Sequence, residues 1–263
     1  GRVIQNRTED SIIREIEDGM GALGYRVKWK ILKAEEYGVP QERRRIVFIA
    51  NRVGAPINHP QPTHGPGLLP YVTIWDAISD LPALNNGNTA GVDHYAKQPA
   101  NAYQAELRAG ANRLSNHTAS KLSAVNLNRM KHIPPGGSWR DIPFDLLPEG
   151  MKRAKRSDHT KRYGRPRKTD LSCTILTKCD VHWGAYIHPE QDRAITVREA
   201  ARLQSFPDFF VFQGSRTEQY VQVGNAVPPL LGRAIGRALL ESAAADGKSE
   251  PASLPNQPEL AFA

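Results

Sequence analysis

The chain has 263 residues, 40% of them hydrophobic, with 35 Lys and Arg against 27 Asp and Glu, a formal net charge of +8. That length buries one good core or two modest ones, and the composition is that of a soluble globular protein with a polyanionic partner. No apolar run approaches the roughly 20 residues of a membrane span, and residues 1–6 carry no signal segment. Cys173 and Cys179 are the only cysteines. They are too few for a disulfide framework or a zinc site, so no metal is expected, and a cytoplasmic setting follows by default.

The chain opens on Gly1 rather than methionine and runs quickly into a helix, which predicts a fragment or a processed chain. Residues 8–24 have helical spacing, with Ile12, Ile13, Ile16, Met20 and Leu23 on one face, Thr8 or Asp10 as cap and Gly21 or Gly24 as stop. Tyr25, Val27, Trp29 and Ile31 alternate with basic residues, the period of a strand with one wet face. After a loop over 34–42, Arg45 to Ala50 reads as a strand buried on both faces. Residues 54–70 hold five prolines and three glycines, a long connection.

A short helix capped by Thr73 carries Ile74, Ala77, Ile78 and Leu81. Residues 82–112 are polar and rich in Asn and Gly, and a helix is predicted over 118–132, with Leu122, Val125 and Met130 as its stripe. Residues 133–143 form a turn-rich linker anchored by Trp139, and Cys173 to Thr177 is predicted as a strand. Thr196-Val197-Arg198-Glu199 is a capping box opening a helix with Val197, Ala200, Ala201 and Leu203 inward. Pro228 and Pro229 open a last helix whose buried face is Leu230, Leu231, Ala234, Ile235, Ala238 and Leu239. From residue 243 the Ala/Ser/Pro-rich tail is expected to be disordered.

Four segments carry candidate chemistry. Arg43-Arg44-Arg45 at a strand entrance is costly unless the charges pair or meet an anion. The helix at Thr196 is by itself an amphipathic helix with a good start and a sharp stop. Gly224-Asn225 before a proline-opened helix predicts a tight turn aiming backbone N–H groups and one amide upward. Finally, residues 152–168 hold nine Lys or Arg against one acid, Asp158. Tyr163, Gly164 and Pro166 interleave with them, which suits a shaped loop on a phosphate backbone.

The order and character of these segments resemble the DNA cytosine-5 methyltransferase family. Gly38-Val39-Pro40-Gln41-Glu42-Arg43-Arg44-Arg45 resembles its eighth motif, Gln-x-Arg-x-Arg. Arg198 to Pro207 resembles the ninth motif, and Gly224-Asn225-Ala226-Val227-Pro228-Pro229 the tenth. The stretch between the eighth and ninth would then be the target recognition region. The resemblance implies that Gln41, Arg43 and Arg45 line the active site, with Arg45 nearest the flipped cytosine and Arg43 bracing the catalytic loop. It implies that Asn225 and Ala226 lie beside S-adenosylmethionine, and that Arg198 and Glu199 hold the recognition domain to the catalytic one. Duplex DNA would be met by Lys152, Arg153, Lys155, Arg156, Arg162, Tyr163, Arg165, Arg167 and Lys168, with residues 174–188 facing the major groove.

The family's Pro-Cys nucleophile, Glu-Asn-Val motif and glycine-rich cofactor turn are not found. Neither Cys173 nor Cys179 follows a proline, so the chain alone should not methylate, because the chemistry needs a cysteine adduct on a flipped base. The expected fold is α/β: a partial Rossmann-like methyltransferase domain plus a small irregular α+β target recognition domain. Residues 1–53 would be the edge of the catalytic domain, 54–192 the recognition domain, 193–242 the return to the catalytic domain and 243–263 the tail. The missing catalytic segment would come in cis or as a separate chain, in a bacterial or phage cytoplasmic protein at the nucleoid. A non-catalytic DNA-binding module, or the recognition subunit of a split enzyme, is the alternative.

Overall fold

The computed structural model describes residues 9–88 and 92–245. The Thr8 cap, the Asp10 side chain and residues 246–263 of the expected tail lie outside the described residues. The described chain divides into two compact units, one of residues 9–32, 46–61 and 233–245, the other of 33–45, 62–88 and 92–232.

The first unit opens with helix α1, Glu9–Ala22. Gly24 ends it at φ 82°, a left-handed position where only glycine is unstrained. Strand β1, Arg26–Lys33, and strand β2, Arg44–Asn51, form a two-stranded sheet. The sheet departs from expectation in burial. Trp29 and Ile31, the expected inner face of β1, are 40% and 56% exposed, and in β2 only Ile49 is buried. A two-stranded sheet has too few neighbours to cover both its faces. The Arg26 guanidinium donates to the carbonyls of Gly54 (2.7 Å) and Ala55 (2.8 Å), tying the chain after β2 back to the start of β1.

The second unit holds helices α2 (Ile74–Ile78), α3 (Ala102–Arg108), α4 (Ala124–Lys131), α5 (Glu149–Lys152), α6 (Val197–Leu203) and α7 (Arg216–Asn225). It contains the start of α8, Pro229–Ala245, which runs past residue 243 into the stretch expected to be disordered. In α8, Leu231 and Ala238 are buried, but Leu239 is exposed rather than inward. Two apolar clusters fill this unit. One gathers α2, α3, α6 and α7 around Ile78, Leu107, Leu203 and Val223; the other gathers Met130, Trp139, Met151, Tyr163, Val181 and Ile187. Trp139 is the buried anchor expected of its linker.

Several expectations are corrected. Cys173–Thr177 is not a strand; the nearest pairing is a single bridge just before it, Gln41 with Ser172. The helix expected over 118–132 is shorter, because Ser123 caps it by accepting from the Asn126 N–H. Helix α3 stands inside the polar stretch 82–112, capped by the Asn101 side chain and burying Tyr103, Gln104 and Leu107. Gly224 and Asn225 do not make a turn but close α7. The capping boxes at Thr73 and Thr196 both form. By compactness, residues 193–232 group with the segment before them.

Candidate functional site

The three motif segments meet inside the second unit in one buried hydrogen-bond network. The Gln41 amide donates to the Leu203 carbonyl (3.1 Å) and to Gln204 Oε1 (2.6 Å), and its own Oε1 accepts from the Ile175 N–H (3.3 Å). Gln204 in turn donates to the carbonyls of Val223 and Ala226, both at 3.0 Å. The Arg43 guanidinium donates to the carbonyls of Gly224 (3.0 Å), Ala226 (3.2 Å) and Ile175 (3.3 Å). Gln41, Arg43 and Gln204 are all buried. Burial, with Arg45 nearby, lowers the Arg43 pKa to about 10, which leaves it charged at neutral pH. Its Nε is buried without a hydrogen-bond partner.

Why glycine stands at 224 follows from this geometry. A Cβ there would lie 2.5 Å from the Leu176 carbonyl carbon and 2.6 Å from the Thr177 nitrogen. Only a bare α-carbon lets α7 press against that backbone, and the close approach brings the Gly224 and Ala226 carbonyls within reach of Arg43.

Gln41 and Arg43, expected to line the active site with Arg43 as a brace, are both buried. Both spend their polar atoms on backbone and on Gln204, so they position the three segments. Arg45 alone of the three is exposed, donating to the Arg44 carbonyl (2.7 Å). Asn225 is exposed at the end of α7 and Ala226 half-buried, its carbonyl already taken by Arg43 and Gln204.

Helix α6 is buried along its whole length, charges included, although taken by itself its sequence is that of an amphipathic helix. Arg202 forms ion pairs with Asp208 (2.6 Å) and with Asp80, and the Ala77 carbonyl accepts from it at 3.0 Å. Arg198 donates to the carbonyls of Ser115 (2.9 Å) and Phe210 (2.7 Å) and faces Asp208. Glu199 takes both prongs of Arg193, at 2.8 and 2.6 Å. Although burial opposes its charge, Arg193 and the neighbouring imidazoles hold the Glu199 carboxyl well below the usual carboxylate range. Arg198 and Glu199 thus bind segments of the second unit together. A helix reads as amphipathic from its own sequence whenever the partners of its charges lie far along the chain, as Asp80 and Ser115 do here.

The basic segment splits into two classes. Arg153, Lys155, Arg156, Arg167 and Lys168 are exposed, while Lys152 and Arg162 are half-buried. Lys152 pairs with Glu149 (2.6 Å), and Lys168 pairs with Glu190 while lying 4.3 Å from the Trp75 ring centre. Tyr163 and Arg165 are buried, which corrects their assignment to a DNA-facing surface. Arg165 donates to the carbonyls of Ile133 (2.8 Å), Met130 (3.2 Å) and His188 (3.0 Å) and pairs with Asp192 (2.5 Å), so its donors fold the loop. Beside it a cavity of about 460 Å³ is lined by Gly137, Lys161, Arg167 and Cys173. Of residues 174–188, Leu176, Lys178, Asp180 and Trp183 are exposed and the others are buried or half-buried. Both cysteines are free thiols with pKa pushed up by burial, the opposite of what an attacking thiolate needs.

No helix among the described residues is long and apolar enough to cross a membrane. A search of known proteins gives a consistent family. Type II methyltransferase M1.HphI of Haemophilus parahaemolyticus is 40% identical over 227 residues, 86% of this chain and 51% of that protein. DNA (cytosine-5)-methyltransferase 4 of Arabidopsis thaliana is 35% identical over 84% of this chain and 17% of its own. The chain thus spans about half the length of the bacterial relative, and less of the plant one. Among solved structures, a DNA modification methyltransferase encoded within an E. coli prophage superposes with TM-score 0.66 at 22% identity, over 91% of this chain and 67% of that one, a likeness of fold. The family model of the C-5 cytosine-specific DNA methylases matches residues 2–241, and the chain belongs to that family.

Proposed function

We propose that this chain is the C-terminal segment of a DNA (cytosine-5) methyltransferase, which transfers a methyl group from S-adenosylmethionine to C5 of cytosine in a specific duplex site. The observation that carries this is the buried meeting of Gln41, Arg43, Gln204 and the Gly224–Ala226 backbone, three family motifs joined by one network. A DNA-binding module needs no such junction behind an exposed arginine at a strand entrance. The alternative of a non-catalytic binder is weaker for that reason.

In this reading Arg45 is the one of its motif able to touch the flipped base, and Arg43 and Gln41 fix where it stands. The cofactor, when bound, supplies the electrophilic methyl group. The residues present fit one wall of its site: the Asn225 side chain is exposed at the end of α7, and Val227 beside it presents an exposed apolar surface. The exposed lysines and arginines of 153–168 would neutralise phosphates. The nucleophile comes from a segment in cis or from a separate chain. The exposed face of the sheet at Trp29, Ile31 and Ile46 supports such a covering segment. The relatives' place in Type II systems makes a restriction-modification role in a bacterial or phage cytoplasm the natural setting.

Methyl incorporation from labelled S-adenosylmethionine into duplex DNA tests this. Incorporation is expected when the chain is joined or mixed with the segment bearing Pro-Cys, and not with the chain alone. Conversion-resistant cytosines should mark a fixed sequence. Methylation by the chain alone, or none by the completed protein, would overturn the reading.

A further inference from the structure

Trp183 is the most exposed tryptophan among the described residues, at 55%. A single exposed indole is ordinary on a protein surface, and its setting is what singles it out. It stands on the turn 180–184, whose backbone is held at several points. Trp183 N–H donates to the Asp180 carbonyl (2.9 Å), Tyr163 N–H to that of Val181 (2.7 Å), and Gly164 N–H to that of Gly184 (3.3 Å). Beneath, the His182 ring meets the buried Tyr163 edge-on at 4.8 Å and bonds the Asp180 carboxylate. A Cβ on Gly184 would come within 2.6 Å of the Tyr186 ring, and one on Gly164 within 2.6 Å of Ala185 Cβ, so the turn lies directly on its support. The indole is presented by a pinned turn and needs little ordering to bind.

Two depressions border it. One, of about 370 Å³, contains Arg162, whose guanidinium carbon lies 5.1 Å from the indole centre. The other, of about 600 Å³, is lined by Lys178, Arg216, Thr217 and Leu122. Arg216 is braced there by Ser120 Oγ (2.8 Å). Asp180, the one acid lining that groove, bonds the His182 ring. A flat apolar surface backed by a guanidinium and opening on a groove with cationic walls matches one kind of ligand chemistry. It fits a planar aromatic ring joined to an anionic group, as the base and phosphate of a nucleotide are.

We propose that Trp183 stacks on a nucleobase of bound duplex DNA, braced from behind by Arg162, and so determines which base step the recognition region accepts. The inference rests on the methyltransferase reading above for its ligand, and it adds a residue and a contact that the basic segment does not supply. Phosphate contacts position a duplex without reading it, whereas a stacked indole requires a step that unstacks easily.

The test uses the chain itself, with Trp183→Phe and Trp183→Ala, titrated with mixed-sequence duplex DNA and with heparin, a polyanion that has no bases. Thermal midpoints should match across the three proteins, since the indole is exposed. Duplex is expected to quench the emission component that the Phe variant lacks, and heparin is expected to bind without quenching it. The Ala variant should lose about tenfold or more in duplex affinity and nothing for heparin, with Phe in between. Equal duplex affinity for all three proteins, with no quenching, overturns stacking while leaving duplex binding intact. Failure of the unaltered chain to bind duplex at all would remove duplex recognition from this segment and overturn this inference with it, leaving the methyltransferase reading to the incorporation test.

Discussion

At position 224 one hydrogen atom decides whether three motifs can meet. The Gly224 α-carbon lies against the backbone of Leu176 and Thr177, which cannot rotate away as a long side chain would. Gly224→Ala should therefore destabilise the chain by about 1–3 kcal/mol through a forced backbone shift, read as a lower denaturation midpoint with an unchanged denaturant slope. A variant of wild-type stability would mean that α7 is free to move off. Arg45 and Arg43 should separate cleanly in the completed enzyme. Arg45→Ala should lower turnover far more than duplex affinity, because its exposed side chain holds nothing else in place. Equal losses in both would mark it as a phosphate contact. The Gln-x-Arg-x-Arg spacing is legible in the sequence. Which of its members is open is not, since that depends on carbonyls more than 130 residues away at Ile175 and Ala226.

At the scale of elements, α6 shows what a capping box conveys and what it omits. Thr196 and Glu199 announce the helix start, and the structure keeps it. The same Glu199 is also the buried partner of Arg193, a second use that local sequence cannot reveal. Truncating a buried charge weakens what compensates its partners, so Arg202→Ala, which leaves Asp80 to Arg108 and Asp208 to Arg198, should cost about 3 kcal/mol. Thr196→Ala, which loses a cap, should cost about 1 kcal/mol. Chemical denaturation of the two variants compares them, and similar losses would mean that water reaches the Arg202 cluster. Helix α3 escaped the sequence reading for a related reason. Its stripe of Tyr103 and Leu107 is short, and Gln104 is buried for the sake of bonds to Asp76 and Ser79 rather than for hydrophobicity.

For the whole molecule, charge and pH dependence give two measurable quantities. Replacing Lys152, Arg153, Lys155 and Arg156 with alanine should weaken duplex binding and flatten its dependence on salt, as each lost phosphate contact releases one fewer counterion. An unchanged salt slope would remove the segment from the interface. Stability should fall as the medium is acidified. Burial lowers the His188 pKa from 6.5 to about 4, with Glu199 and Glu190 pulling up and Arg193 and Arg165 pushing down. Its Nδ1 accepts from the N–H groups of Glu190 and Gln191, a bond a proton would break. The unfolded chain takes the proton first, so stability is full above about pH 6.5 and is lost toward pH 4, at up to about 1.4 kcal/mol per unit. His117, lowered for the same reason, acts in the same direction. Denaturation midpoints flat from pH 7 to 4 would show both imidazoles to be solvated in the fold. At this scale, family and motif order were legible from sequence, because they are linear. The burial of the strands was not, because a strand's alternation does not say whether anything covers it.

The meeting of the motifs also bears on how recognition could be exchanged between relatives. Because residues 193–232 fold with residues 62–192, a graft cut at the start of α6 would split a folded body and part Arg193 from Glu199 and Arg202 from Asp80. A graft spanning 62–232 would carry its own ionic interior intact. Its seam with the host would include Gln41 and Arg43, which must find a glutamine and four carbonyls in the incoming piece, beside the backbone bonds that Pro40 and Glu42 make to Ser172. Recipients that supply those two residues should accept foreign recognition segments as single transplantable blocks.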